Sequence, residues 1–358
     1  MATLKVDTKK IISNVKKLDK FLKSKNIQWS LITKMAMGDN IVLEKLLSDN
    51  YLKSLHSIGD ARLSNLKTIK KISPNIETIY IKPPAIKFAK QVVECADISL
   101  NSSSRTIIEL NKAAKALGKI HKVIVMIELG ELREGVLRDK ILSFYEKIFE
   151  LENIHVIGLG TNLGCMYGIE PTYDKLIQLS LYKMLLELKF EKKIPLVSGG
   201  SSIALPIITK KFPKEINHFR IGETAFHGIN LQDGSRFRNL AIDAFDFSGE
   251  IIELERKENV PDGVISEANV GHAADYDENN IKFTFKAIVD FGSIDAEVSD
   301  LTLFDQTVKF VGTTSDMTVF DLGNNRNGYK VGDLLHFKPN YMATARLMNS
   351  KYITKTIT

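Results

Sequence analysis

A lysine closes the apolar run Ser30-Leu31-Ile32-Thr33-Lys34. At the end of a buried strand a partly desolvated amine gives up its proton more easily and becomes a nucleophile for a Schiff base. The plainer reading is a solvated lysine just past a strand. Far along the chain, Val197-Ser198-Gly199-Gly200-Ser201-Ser202 leaves another apolar run and enters a helix near Ile203. Glycines allow close backbone approach, hydroxyls donate, and the helix start adds oriented amides, so the run suits a phosphate. A glycine turn with a serine cap has the same letters. Arg220 and Glu223 follow the next strand-like run. A lysine imine, a phosphate cradle and an Asp, Glu or Arg beside a ring nitrogen are what pyridoxal 5'-phosphate requires. Nucleotide readings are weaker. No Walker-type Gly-Lys-Ser/Thr run occurs, and Gly158 to Gly164 misses the dinucleotide fingerprint by one residue.

The elements that must position these residues alternate in type. Strand-like runs at Trp29–Thr33, Leu55–Gly59, Thr78–Ile81, Asp97–Leu100, Lys122–Leu129, His155–Asn162, Leu196–Ser198 and His218–Ile221 are separated by helix-period segments such as Ser104–Leu117 and Tyr173–Lys189. Eight strand–helix units in this space predict an α/β fold, a (β/α)8 TIM-type barrel over residues 1–235. Residues 236–358 change texture. Strand-like runs at Glu250–Leu254, Ile281–Asp290, Thr307–Gly312, Met317–Leu322 and Asp333–Phe337 alternate with turns such as Pro261-Asp262-Gly263, Asn279-Asn280 and Asn324 to Gly328. They predict a C-terminal, mostly β domain.

Composition narrows the setting. The 358 residues carry Lys+Arg 49 against Asp+Glu 43, a mild excess that gives no case for nucleic acid binding. Two cysteines, Cys95 and Cys165, exclude a disulfide framework and argue against a structural metal site. The charged start and the lack of a long apolar window predict a cytoplasmic protein that does not enter membranes.

Read together, the motifs resemble the alanine racemase superfamily of pyridoxal-phosphate enzymes, and most of all its ornithine/alanine racemase-like branch. Thr33-Lys34-Met35 is similar to the cofactor-lysine motif and Asp60-Ala61-Arg62 to the segment after the second strand. Glu128-Leu129-Gly130-Glu131-Leu132-Arg133-Glu134-Gly135 contains a Gly-x-x-Arg-x-Gly motif. Its arginine, in the family, lies near the cofactor phenolic oxygen and the substrate carboxylate. Val197 to Gly200 matches the phosphate loop and Arg220-Ile221-Gly222 the Arg-x-Gly motif whose arginine faces the pyridine nitrogen. Gly312-Thr313-Thr314-Ser315-Asp316-Met317 resembles a loop that enters the partner subunit's site. The resemblance implies a homodimeric racemase of α-amino acids that works through an imine and a carbanion. Ornithine, lysine or another non-alanine amino acid would be the substrate. On this basis Lys34, Cys165 and Arg133 are the catalytic candidates. Lys34, Asn162, Ser198, Gly199, Gly200, Ser201, Ser202, Arg220, Gly222 and Glu223 are expected at the cofactor, and Arg133, Ser315 and Asp316 at the substrate.

The departures are informative. Alanine racemases carry a tyrosine base in a Gly-Tyr-x-Asp-Gly motif, oriented by a barrel histidine. Here those places read Gly292-Ser293-Ile294-Asp295 and Asn162, and a further tyrosine's place is Gly38. Racemisation needs proton transfer on both faces of the α-carbon. Lys34 can serve one, and Cys165 is the first candidate for the other, although a lone cysteine is more often a small buried hydrophobe. Ser293, Tyr167, His227, His272 and Tyr276 stay open. So does the choice between Arg220 and Glu223 at the ring nitrogen. A decarboxylase of the same fold class, a cofactor-holding protein without turnover, and a binding or regulatory module whose barrel has lost its chemistry are the competing functions.

Overall fold

In the computed structural model the described residues are 2–210, 212–265, 271–276 and 282–358. The turn expected at Asn279-Asn280, and Ile281 at the start of an expected strand, lie outside them. A short strand, β1 (Thr3–Val6), leads into the long helix α1 (Thr8–Lys23). Ile11, Val15, Leu18 and Leu22 recur every three or four residues on α1 and are fully buried, which is why this segment is a helix with one packed face.

Eight parallel strands then close into a barrel: β2 (Gln28–Ile32), β3 (Ser57–Asp60), β4 (Thr78–Tyr80), β5 (Ile98–Asn101), β6 (His121–Met126), β7 (Ile154–Gly160), β8 (Leu196–Ser201) and β9 (His218–Ile221). The helices α2 (Asn40–Ser48), α3 (Leu63–Ile72), α4 (Ala89–Cys95), α5 (Ser104–Ala116), α6 (Ile141–Phe149), α7 (Tyr173–Phe190), α8 (Leu205–Ile208) and α9 (Glu223–His227) follow them in turn. β9 pairs with β2, with Ser30 opposite Arg220, which closes the ring. Alternation sorts the side chains. Trp29 of β2 donates its ring N–H to Asp19 of α1 at 3.0 Å, so Trp29 faces the helices and Ser30 the lumen. Part of the lumen is apolar, packed with Ile79, Ile98, Leu100, Ile124, Met126, Ile157 and Leu196. Gly59 leaves room there, since a Cβ would lie 2.6 Å from Ile32 Cδ1. The strands β2, β3, β8 and β9 instead carry Ser30, Ser57, Ser198, His218 and Arg220, all buried.

The contacts divide the chain into two compact units, Ile11–Ile242 and Met1–Lys10 with Asp243–Thr358. The expected division at 235/236 therefore differs at both ends. β1 belongs with the second unit because it pairs antiparallel with β10 (Phe245–Glu258), Thr3 opposite Ser248, and parallel with β17 (Thr354–Ile357), Thr3 opposite Thr354. Four residues of strand are too few to announce themselves by alternation. Between β10 and β17 come β11 (His272–Ala273), β12 (Phe283–Val289), β13 (Leu301–Leu303), β14 (Lys309–Thr313), β15 (Thr318–Asp321), β16 (Leu334–Pro339) and the helix α10 (Tyr341–Asn349). The sheet runs β11-β14-β15-β12-β10-β1-β17, with β16 also on β10 and β13 on β16. Phe247, Phe291, Phe320 and Phe337 form its aromatic core, with Phe247 and Phe291 edge to face at 5.0 Å. The helix α10 was not expected. Asn340 caps it, its side chain accepting the Ala343 amide at 3.0 Å.

Candidate active site

Lys34 opens a single 3-10 turn, Lys34–Ala36, directly after β2. The preceding Thr33 is tied to the next strand end, its amide donating to Gly59 O at 2.8 Å and its hydroxyl to Asp60 at 3.3 Å. Asp60 is buried and also accepts the Arg62 amide at 2.9 Å and Asn65 Nδ2 at 3.1 Å. Burial pushes its carboxyl up, against the pull of those bonds. Lys34 itself is exposed, whereas its strand-end position suggested partial desolvation. The chain turns at once, with Met37 and Gly38 at φ of 50° and 78°. A Cβ on Gly38 would also fall 2.5 Å from Asn65 Oδ1, so a tyrosine here would be strained and would displace Asn65. Across the β2–β9 seam, Glu223 starts α9 half-buried. Burial raises its carboxyl, and the Lys34 charge opposes that rise.

The glycine–serine run that ends β8 divides into two parts. Ser198, expected in the cradle, is fully buried, and its hydroxyl oxygen receives Arg220 Nη1 at 2.5 Å and meets His218 Nδ1 at 2.8 Å. Gly199 is part of the strand wall, where a Cβ would lie 2.6 Å from Ile216 Cγ2. The cradle narrows to Gly200, held at φ 139°, Ser201 and Ser202. Ser202 Oγ accepts the amides of Gly222 at 3.2 Å and Thr224 at 3.3 Å, which leaves its own proton to donate. Gly222 thus contributes by joining the β9 loop to the β8 loop, with its amide already engaged. Bare backbone at positive φ and a serine proton available for an acceptor fit a phosphate group. Arg220 is buried, donates to Thr161 O at 2.8 Å as well, and has its pKa pushed down to about 10 by burial.

Arg133 and Cys165, two of the catalytic candidates, lie against each other. Arg133 Nη1 lies 2.7 Å from Cys165 Sγ, and the rest of the guanidinium forks onto the Glu134 carboxylate, Nη2 to Oε1 at 2.5 Å. The thiol is exposed rather than a core hydrophobe. What sequence reasoning missed is Glu131. This carboxylate is 2% exposed and accepts four amides of the loop before α7: Gly164 at 3.0 Å, Cys165 at 2.9 Å, Tyr167 at 2.8 Å and Ile169 at 3.3 Å. A glutamate in a Gly-Glu-Leu-Arg turn gave one local clue, but its partners lie more than thirty residues away. Asn162 is half-buried at the start of the same loop and makes no side-chain hydrogen bond among the described residues.

The other base candidates separate by environment. Tyr167 is exposed, while His227 is buried in α9. In the β unit His272 and Tyr276 are exposed, and Ser293 is half-buried with its amide donating to Thr314 O at 2.9 Å. That bond seats the Gly292–Asp295 segment on the β14–β15 tip that carries Ser315 and Asp316, where Ser315 Oγ donates to the Asp316 carboxylate. A Cβ on Gly292 would meet Ser315 O at 2.2 Å, so backbone runs against backbone.

Residues 6–229 match the family described as alanine racemase, N-terminal domain. The chain belongs to this family. The racemase-family chain is also 30% identical over 354 residues to the ornithine racemase of Acetoanaerobium sticklandii, covering 98% of each. It is 27% identical over 353 residues to the lysine racemase of Thermotoga maritima, covering 98% of this chain and 97% of that one. Its fold is that of the alanine racemase from Bartonella henselae solved with covalently bound pyridoxal phosphate. That likeness has a TM-score of 0.73 at 15% identity and covers 100% of this chain and 99% of the other. No helix among the described residues is long and apolar enough to cross a membrane.

Proposed function

We propose that this chain is a pyridoxal-phosphate-dependent racemase of an α-amino acid, with ornithine and lysine, named for its relatives, as the first substrates to try. The observation that carries the reading is the β2–β9 seam. It puts Lys34 and the Arg220–Glu223 segment at adjoining strand ends, beside the Gly200–Ser202 cradle that Ser202 ties to Gly222 and Thr224. When bound, the cofactor supplies the electron sink that makes the α-proton removable. Lys34 Nζ would hold the cofactor covalently and, once displaced by substrate, carry the α-proton on one face. Arg133 would bind the carboxylate, and Cys165 Sγ, beside it, would hold or return a proton on the other face. Gly200, Ser201 and Ser202 would hold the phosphate, and Arg220 would face the ring nitrogen.

Gly38 and Gly292 support the branch without tyrosine bases, since a side chain would be strained at Gly38 and would meet backbone at Gly292. The reading includes a cytoplasmic homodimer in which the Ser315–Asp316 tip completes the partner's site. A decarboxylase would want a carboxylate at the ring nitrogen, and the Glu223 carboxyl is raised by burial while the Lys34 charge opposes that rise. The test is a panel of L- and D-amino acids read by chiral chromatography. Appearance of the opposite enantiomer supports the proposal, and loss of the carboxyl group as carbon dioxide replaces it with the decarboxylase.

A further inference from the structure

The polar lumen holds an unbroken hydrogen-bonded row that no step above uses. Arg220 Nη1 meets Ser198 Oγ at 2.5 Å, Ser198 Oγ meets His218 Nδ1 at 2.8 Å, and His218 Nε2 meets Ser30 Oγ at 3.0 Å. Ser30 Oγ meets Ser57 Oγ at 2.7 Å, and Ser57 Oγ meets His56 Nδ1 at 3.3 Å. His218 is completely buried, and the His56 ring lies edge-on to it at 4.8 Å.

The direction of every proton in this row follows from its first member. A guanidinium only donates, so Ser198 Oγ must accept from Arg220. The Ser198 proton then has one acceptor in the row, His218 Nδ1, which must be bare. A neutral imidazole with a bare Nδ1 carries its proton on Nε2 and donates it to Ser30. Ser30 donates to Ser57, and Ser57 to His56. Turning the row around would leave the Ser198 hydroxyl with two donors and no acceptor, which is costly in a buried site.

We propose that His218, locked as the neutral Nε2–H tautomer, is the positioning residue that holds Ser198 and, through it, the Arg220 guanidinium in place. The role at the cofactor rests on the proposed function, whereas the tautomer does not. Burial drives the basicity of His218 well below that of a free imidazole, with the nearby His56 and Arg220 acting in the same direction. A second cation beside Arg220 would have no counter-charge within the row. The three residues stand on two adjacent strands, so the row sets the guanidinium without help from a mobile loop.

The experiment uses the full chain with 15N-labelled histidine, each signal assigned by its loss in a His218→Gln variant. The expected spectrum shows a His218 imidazole with one protonated nitrogen, Nε2, unchanged from about pH 5 to 9, a span across which a free imidazole titrates. Ser198→Ala should release the lock and shift the two nitrogens toward a tautomer mixture. A His218 that titrates near the free value, carries its proton on Nδ1, or ignores Ser198→Ala would overturn the proposal. In the loaded enzyme, His218→Leu should lower kcat by about tenfold or more with KM little changed, the pattern of a lost transition-state contact. His218→Asn, whose amide oxygen can stand in for Nδ1, should recover part of it. A locked tautomer in a protein that turns over no amino acid would keep this inference and remove the functional reading.

Discussion

The Glu131 carboxylate accepts the backbone amide of Cys165 at 2.9 Å, bridging the loops that follow β6 and β7. Arg133 sits two residues from Glu131, so one carboxylate sets the 2.7 Å approach of guanidinium and thiol. Glu131→Gln would replace one acceptor oxygen by a donor facing two amides, each worth about 1–3 kcal/mol when left buried and unsatisfied. The loop should release, the thiol should leave the guanidinium, and iodoacetamide should alkylate Cys165 several-fold more slowly at neutral pH. An unchanged rate would show that Glu131 does not place the thiol.

Acid should do the same thing reversibly. Burial pushes the Glu131 carboxyl up, and its four amide bonds together outweigh burial and hold it below the usual range. A depressed folded pKa contributes stability that is present above the unfolded value of about 4.3 and lost as pH falls through the folded one. Amide exchange should show residues 164–169 losing protection in that acid window before the barrel strands do, and Glu131→Gln should remove the dependence.

Borohydride reduction followed by peptide mass mapping should find the cofactor fixed on Lys34. Lys34→Ala should lose the reducible adduct and all but a trace of activity while keeping its circular dichroism. An adduct on a different lysine with full activity would refute the assignment.

Cys165→Ala should slow racemisation in both directions by about a hundredfold, the scale of losing a general acid–base. It should retain solvent-deuterium exchange from one enantiomer, since Lys34 still works on its own face. Exchange lost from both enantiomers alike would remove Cys165 from single-face duty.

Arg220→Gln should change the absorbance of the bound cofactor and bring out side reactions, and Glu223→Gln should do much less. The basis is the buried Arg220 facing the lumen while Glu223 is coupled to Lys34. The opposite ranking would put a carboxylate at the ring nitrogen and favour decarboxylation.

Strand–helix alternation made the barrel legible, because buried parallel strands read as short apolar runs between amphipathic helices. All eight expected strands are present, shifted by a few residues at their ends. Lys34, Arg133 and Cys165 were legible as types at strand ends. Ser198 was not, because a serine that faces a lumen and one that faces a phosphate share the same spelling. Glu131 and His218 stayed hidden for another reason: their meaning lies in partners that only the closed ring and its loops bring near. The short β1 and β13 carry too few residues for a period to show.

The pairing of β1 with both β10 and β17 has a consequence during synthesis on the ribosome. β1 is made before the barrel and has no partner until the whole barrel segment has been made, and it gains its second neighbour only when Thr354–Ile357 follow. The barrel can fold while translation continues, since its strands pair mostly with the next one made. The β unit is a late closure of a very long loop, slow because distant contacts must be found before they stabilise anything. Nascent chains stalled near residue 242, before β10 is made, should therefore carry an ordered barrel and an unpaired β1, and that strand is where a holding chaperone would bind.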